Sequence, residues 1–278
     1  MDYKIIVDSC CDLTPEYRER MQVTTVPLTL TLGEESYVDD EKLNLIDFMQ
    51  RMKNCTGRVG SAAPSPVLYQ EAFRGARTSF AITLSSNLSS SYTSAMLGKR
   101  MAEDEDPNAD VHVFDSKSAS AGQVLLAVKL RRMLDEKLHK SEIVTKLESF
   151  IKDMKTYFVL DNIDNLVKNG RLNKIAGKII SILHIRPIMG SDGDGNIVMY
   201  GQARGEKQII SKLIDLVANS GRQLEGESMV ITHCNNPSLA EKLQDAIMSR
   251  FPFKEIIVMP TNGVSSLYAN ERGIVMAF

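Results

Sequence analysis

From Lys4 to Asp153, short apolar or β-branched runs alternate with stretches of helical pattern, and this alternation constrains the fold more than any other feature. KIIVD (4–8), VTTVPLTLTL (23–32), FAITL (80–84) and VHVFDS (111–116) read as strands. Pro27 marks an edge or a bend within the second of them. Thr14-Pro15 opens a short helix as cap and first position, 43–52 is amphipathic, and Ser65-Pro66 starts a helix reaching about 74. Further helices are expected from Ser90 to about 103, over 121–138 and over 141–153. Strands separated by helices imply a mostly parallel sheet with helices on its faces.

A second series begins with TYFVL (156–160). IRPIM, the Gly-rich SDGDGN and IVMYGQ read as a β-hairpin. A helix (206–219), strand SMVITH, a helix (239–249), strand EIIVM and the closing GIVMAF follow. The expectation is two α/β lobes in close contact, 1–155 and 156–278, with a ligand site between them at strand ends.

Composition narrows the partner. A formal net charge of -2 leaves no electrostatic footprint for nucleic acid or an anionic membrane surface. No apolar run approaches the roughly 20 residues of a membrane span. The N-terminus MDYKIIVDS lacks the pattern of a secretory signal, so a cytoplasmic location is expected. Cys10, Cys11, Cys55 and Cys234 form no CxxC, and His112, His139, His184 and His233 show no i, i+4 pair. No metal is expected.

The densest chemistry lies in ITLSSNLSSSYTSA (82–95). A strand ending at Leu84 and a helix starting near Ser90 gather hydroxyls and unpaired backbone N–H groups around a helix N-terminus, an anion-binding arrangement. The same serines would serve equally as a cap with solvated neighbours. A matching small-residue loop, GSAAPSP (60–66), puts Ser61 in the loop and Ser65 at a cap position. A serine nucleophile would need a base, and the chain has neither GxSxG nor SxxK at these serines. There is no GxGxxG after the first strand and no Walker A sequence. GSDGDGNI lacks the Gly and Glu of a calcium loop, with Ile197 and Ala203 in their places, and reads as a turn. Arg171, Arg186 and Arg204 are the candidate cations, each taken alone reading more readily as a solvated charge or a surface ion pair.

These stretches, in order, resemble the DegV family from end to end: IIVDSCCDLTPEY, VPLTLTLGEESYVDD, SAAPSP, ITLSSNLSSSYTSA, VFDSKSASAGQ, NGRLNK, IRPIMGSDGDG and ARGEK. The resemblance implies a two-lobed α/β fold, with a mainly parallel sheet in the first lobe and a mixed sheet in the second. It implies a long-chain fatty acid in an apolar tunnel between them, no other cofactor, and a binding protein rather than an enzyme. Some members present the acyl carboxylate to a separate fatty acid kinase subunit, the candidate protein partner here. By position in the family motifs, Ser61 and Ser89 correspond to the carboxylate-binding hydroxyls, and Ser90 stands beside them where the family carries glycine. Arg204 corresponds to an arginine near the head group, and Arg171 to the GR motif associated with partner contact.

One departure concerns the C-terminal HxGPG of kinase-linked members. This chain reads NGVSSLYANERGIVMAF, with no histidine after His233. Ser265, Ser266, Tyr268 and Asn270 are the groups available in its place, Tyr268 and Asn270 being carried as secondary head-group candidates. Two other readings remain beside the carrier: a serine-dependent acyl hydrolase and a small-metabolite sensor.

Overall fold

The computed structural model describes residues 3–172 and 185–278; His184 and the last two residues of NGRLNK lie outside them. Strand β1 (Tyr3–Asp8), helix α1 (Pro15–Met21) and β2 (Val23–Val26) begin the chain, followed by β3 (Thr29–Leu32), β4 (Glu35–Val38) and α2 (Leu45–Asn54). Then come β5 (Val59–Ala62), α3 (Pro66–Phe73), β6 (Thr78–Thr83), α4 (Ser91–Glu105), β7 (Asp110–Asp115), α5 (Ala121–Asp135) and α6 (Lys140–Asp153). The second half holds β8 (Thr156–Val159), α7 (Asp164–Lys168), β9 (Ile185–Ser191), β10 (Ile197–Arg204), α8 (Gly205–Ala218) and β11 (Ser228–His233). It continues with α9 (Pro237–Met248), β12 (Glu255–Pro260), α10 (Gly263–Ala269) and β13 (Ile274–Ala277).

β2, β1, β6 and β7 form a wholly parallel sheet in that order. A mixed sheet runs β10-β9-β8-β13-β11-β12, parallel only between β11 and β12. The fold is therefore α/β, a parallel and a mixed sheet flanked by helices. The β9–β10 hairpin stands where its Gly-rich turn indicates, with Gly193 and Gly195 both at positive φ.

The second predicted strand is two strands. β2 joins the parallel sheet, while β3 pairs with β4 and β5 in a separate antiparallel sheet. Pro27 has no N–H to continue a ladder. Beyond it, the Leu28 N–H donates to the Ser9 hydroxyl (3.0 Å), turning the chain out of the first sheet. Ser61, expected in a loop, lies in β5, where it pairs with Leu30 of β3.

α5 joins the halves. Its first eight residues, Ala121 to Val128, are all buried, as in a helix enclosed on every side. Val124, Leu125 and Leu126 share one cluster with Ile5 and Phe80 of the parallel sheet and Val230, Met259 and Val275 of the mixed sheet. The core thus crosses from one sheet to the other.

Candidate functional site

The loops after β1, β6 and β7 leave the carboxyl ends of a parallel sheet, where such folds gather ligand groups. Facing them across a cavity of about 570 Å³ are β8, β9, β13 and α10. That volume lies within the range of roughly 300–1,000 Å³ typical of small-molecule sites. Leu84, Leu88, Phe158, Leu160, Ile197 and Val275 give it an apolar wall.

At one end the polar groups converge. The Ser61 hydroxyl and the Tyr268 hydroxyl are hydrogen-bonded at 3.0 Å, joining β5 to α10. The Arg171 guanidinium lies 5.6 Å from the centre of the Tyr268 ring. Its Nε donates to the carbonyl of Leu88 (3.2 Å) and its Nη1 to that of Asn169 (2.6 Å). Among the described residues it has no acidic partner, so its charge is uncompensated within the cavity wall.

The start of α4 completes this end. The Ser89 hydroxyl accepts from the Ser91 N–H (3.2 Å) and shares a hydrogen bond with the Ser91 hydroxyl (3.0 Å). Ser90 occupies the N-cap position but makes no capping bond; it is exposed and lines the cavity with Ser94. The helix is therefore capped from the preceding residue, leaving the Ser90 hydroxyl uncommitted.

Two expected residues stand elsewhere. Arg204 is exposed and absent from the described cavity wall. Ile197 of the same strand does line the cavity, and the seven residue steps from it to Arg204 span roughly 23 Å of extended chain. Asn270 closes α10 at φ 54 and turns its amide to the carbonyl of Asn162 (3.3 Å), outside the wall. Arg171, expected at a partner surface, is part of the wall itself.

Three carboxylates that the sequence did not single out support these loops. Asp8 accepts from the Leu84 N–H (2.7 Å), the Cys10 N–H (3.2 Å) and the Gln123 amide (3.0 Å). Asp12 accepts from the Ser120 hydroxyl and the Asn262 N–H (2.7 Å). Asp39 accepts from the Val264 N–H (3.0 Å), and the nearby Gly263 N–H and Ser9 hydroxyl favour its charged form. Burial pushes their pKa values up, to about 6 for Asp8, about 7 for Asp12 and about 6 for Asp39, against the pull of those donors. The same burial, with Asp8 and Asp12 nearby, keeps the Cys10 thiol neutral in the cavity wall. A buried carboxylate looks like any charge in a sequence; its position just past a strand end is the one available signal.

Among the described residues, neither a histidine nor a free lysine stands beside the serines at the start of α4. No histidine lines the cavity among the described residues, and His233 has its pKa lowered by burial while Nδ1 accepts from the Asn236 N–H (3.3 Å). Lys117 does line it, but its ammonium is paired with Asp194 at 3.3 Å. The hydrolase reading finds no support in this geometry. Among the described residues, no group of three or more potential ligands is placed to hold a metal ion, and no helix is long and apolar enough to cross a membrane.

Residues 2–278 match the model of the DegV family, which is described as uncharacterised. A DegV domain-containing protein of Streptococcus pyogenes serotype M3 is 35% identical over 280 residues, covering 100% of this chain and 99% of that one. A DegV family structure from Ruminococcus gnavus, refined with vaccenic acid, superposes with a TM-score of 0.94 at 36% identity, covering 99% of each chain. The Fatty Acid Kinase (Fak) B3 protein of Streptococcus pneumoniae, loaded with linoleic acid, gives 0.92 at 34% identity, covering 100% of this chain and 99% of that one.

Proposed function

The chain belongs to the DegV family, and on that premise we propose that it binds a long-chain fatty acid in the cavity between the sheets. The observation that carries this reading is the union of Ser61, Tyr268 and Arg171 on the wall of a mainly apolar cavity. A carboxylate there receives hydroxyl donors from Ser61, Tyr268 and Ser89, with the Ser90 hydroxyl beside them and the α4 N-terminus behind. Arg171 supplies the opposite charge, a head-group role in place of the partner contact implied by its motif. The acyl chain supplies most of the affinity. At about 0.8 kcal/mol per buried methylene, a dozen methylenes gain on the order of 10 kcal/mol before the costs of association.

The function is carriage rather than catalysis, with the boundary between lobes near residue 155. The likeness to the Fak B3 protein supports presentation of the bound carboxylate to a separate kinase. With no histidine after His233, the C-terminal segment offers hydrogen bonds from groups such as Tyr268 but no histidine base, so proton transfer falls to the partner. Native mass spectrometry of purified protein tests the reading. A stoichiometric long-chain acid is expected, and a lipid-free protein that takes up none after delipidation would refute it.

A further inference from the structure

α10 is short, and its own cap residue, Asn262, makes no side-chain capping bond. Its N-terminus is held instead by two carboxylates from distant parts of the sequence. Asp12 receives the Asn262 N–H at 2.7 Å, and Asp39 receives the Val264 N–H at 3.0 Å. The approach is close enough to require glycine: a Cβ on Gly263 would stand 2.2 Å from the Asp39 carboxylate and 2.7 Å from Leu43. Farther along, the Asn165 amide grips the Leu267 carbonyl at 2.7 Å. Tyr268 follows directly, five residues and roughly 7.5 Å of helix from Gly263. The helix is therefore pinned near Leu267, and its direction about that point is set by the two carboxylates.

We propose that Asp12 and Asp39 are positioning residues of the head-group site, acting through α10 on the Tyr268 hydroxyl. Neither lines the cavity; Asp39 acts on it through the helix, and Asp12 through the helix and through Ser120, which it also holds. A carboxylate presents two acceptor oxygens; the amide of an Asp39→Asn variant presents one and turns an NH₂ toward a backbone donor. The helix start shifts, and with it the placement of Tyr268 against Ser61. The assignment rests on the fatty-acid reading above.

The test uses delipidated full-length protein and displacement of a fluorescent long-chain acid by hexadecanoic acid or hexadecanol. Asp39→Asn should lose roughly fivefold in affinity for the acid, the effect of one lost capping interaction, and keep its affinity for the alcohol within about twofold. Added to Tyr268→Phe, the Asp39→Asn change should have no further effect on acid binding, because the group it positions is gone. Equal losses for acid and alcohol, or full additivity with Tyr268→Phe, overturn the assignment and leave Asp39 a merely structural residue. Should Asp39→Asn not fold, Asp12→Asn carries the same expectations. Failure of the wild-type protein to take up the fluorescent acid sinks the fatty-acid reading itself, and this assignment with it.

Discussion

The hydroxyls of Ser61 and Tyr268 lie 3.0 Å apart although 207 residues separate them in the chain. Each gives the other a hydrogen-bond partner, and both line the same cavity. Tyr268→Phe should therefore weaken acid binding by roughly tenfold, as expected for a hydrogen bond to a charged group, with little change in the thermal midpoint. Ser61→Ala combined with Ser89→Ala should weaken it further while leaving the fold intact. Unchanged affinity in that double variant, read by displacement titration, would place the head group elsewhere.

Arg171 is the charged member of the cluster, tied to the Leu88 carbonyl and free of acidic partners among the described residues. Arg171→Met keeps much of the aliphatic stem and removes the charge. Acid binding should fall by about tenfold or more, and its dependence on salt should flatten. Binding of the uncharged alcohol should change far less. Equal salt dependence in the variant and the parent would remove Arg171 from the head-group site.

Asp12 predicts an unusual pH profile for stability. Its pKa in the folded protein is about 7, raised by burial from an ordinary 3.8. Between those values the folded state binds more protons than the unfolded state, so this group's stabilisation is complete below the unfolded value. It is lost as pH rises through about 7. Urea midpoints should then increase as pH is lowered from about 8 to about 5, and Asp12→Asn should flatten that slope. Identical slopes for parent and variant would show that Asp12 does not titrate in this window.

Gly98 sets the spacing of α3 and α4, whose first turn belongs to the candidate site. A Cβ at this position would lie 2.6 Å from both the Pro66 carbonyl and the Tyr69 Cβ. Gly98→Ala gains helix propensity but forces the helices apart, and the overpacking should prevail, destabilising the protein by about 1–3 kcal/mol. Chemical denaturation measures this directly; a stabilised variant would mean that α3 yields without loss.

Regular elements were the legible part of the fold. The parallel alternation and the β9–β10 hairpin follow from periodicity and turn residues, which are local properties. β4, β5, α7 and α10 did not register, because four to seven residues such as GVSSLYA carry too few positions for a period to emerge. The division of 23–32 between two sheets was equally invisible, since both flanks of Pro27 are β-branched and only tertiary pairing separates them. Ser61, Ser89 and Tyr268, which motif and position single out, line the cavity. Arg204 was misplaced because its distance from the cavity is set by how far β10 runs. Asp8, Asp12 and Asp39 escaped notice because burial, which gives them their role, is a property of the assembled chain.

The placement of β13 has a consequence for biosynthesis. Residues 274–277 fill the gap between β8 and β11, pairing with both. Until the ribosome has made them, those two strands present open edges, the state most exposed to wrong pairing and chaperone capture. The parallel sheet has all its strands much earlier, by residue 115. Val275 also walls the cavity, so a nascent chain cannot enclose a ligand until this segment is in place. A chain terminated before this segment would lack part of the cavity wall and leave β8 and β11 without their shared partner.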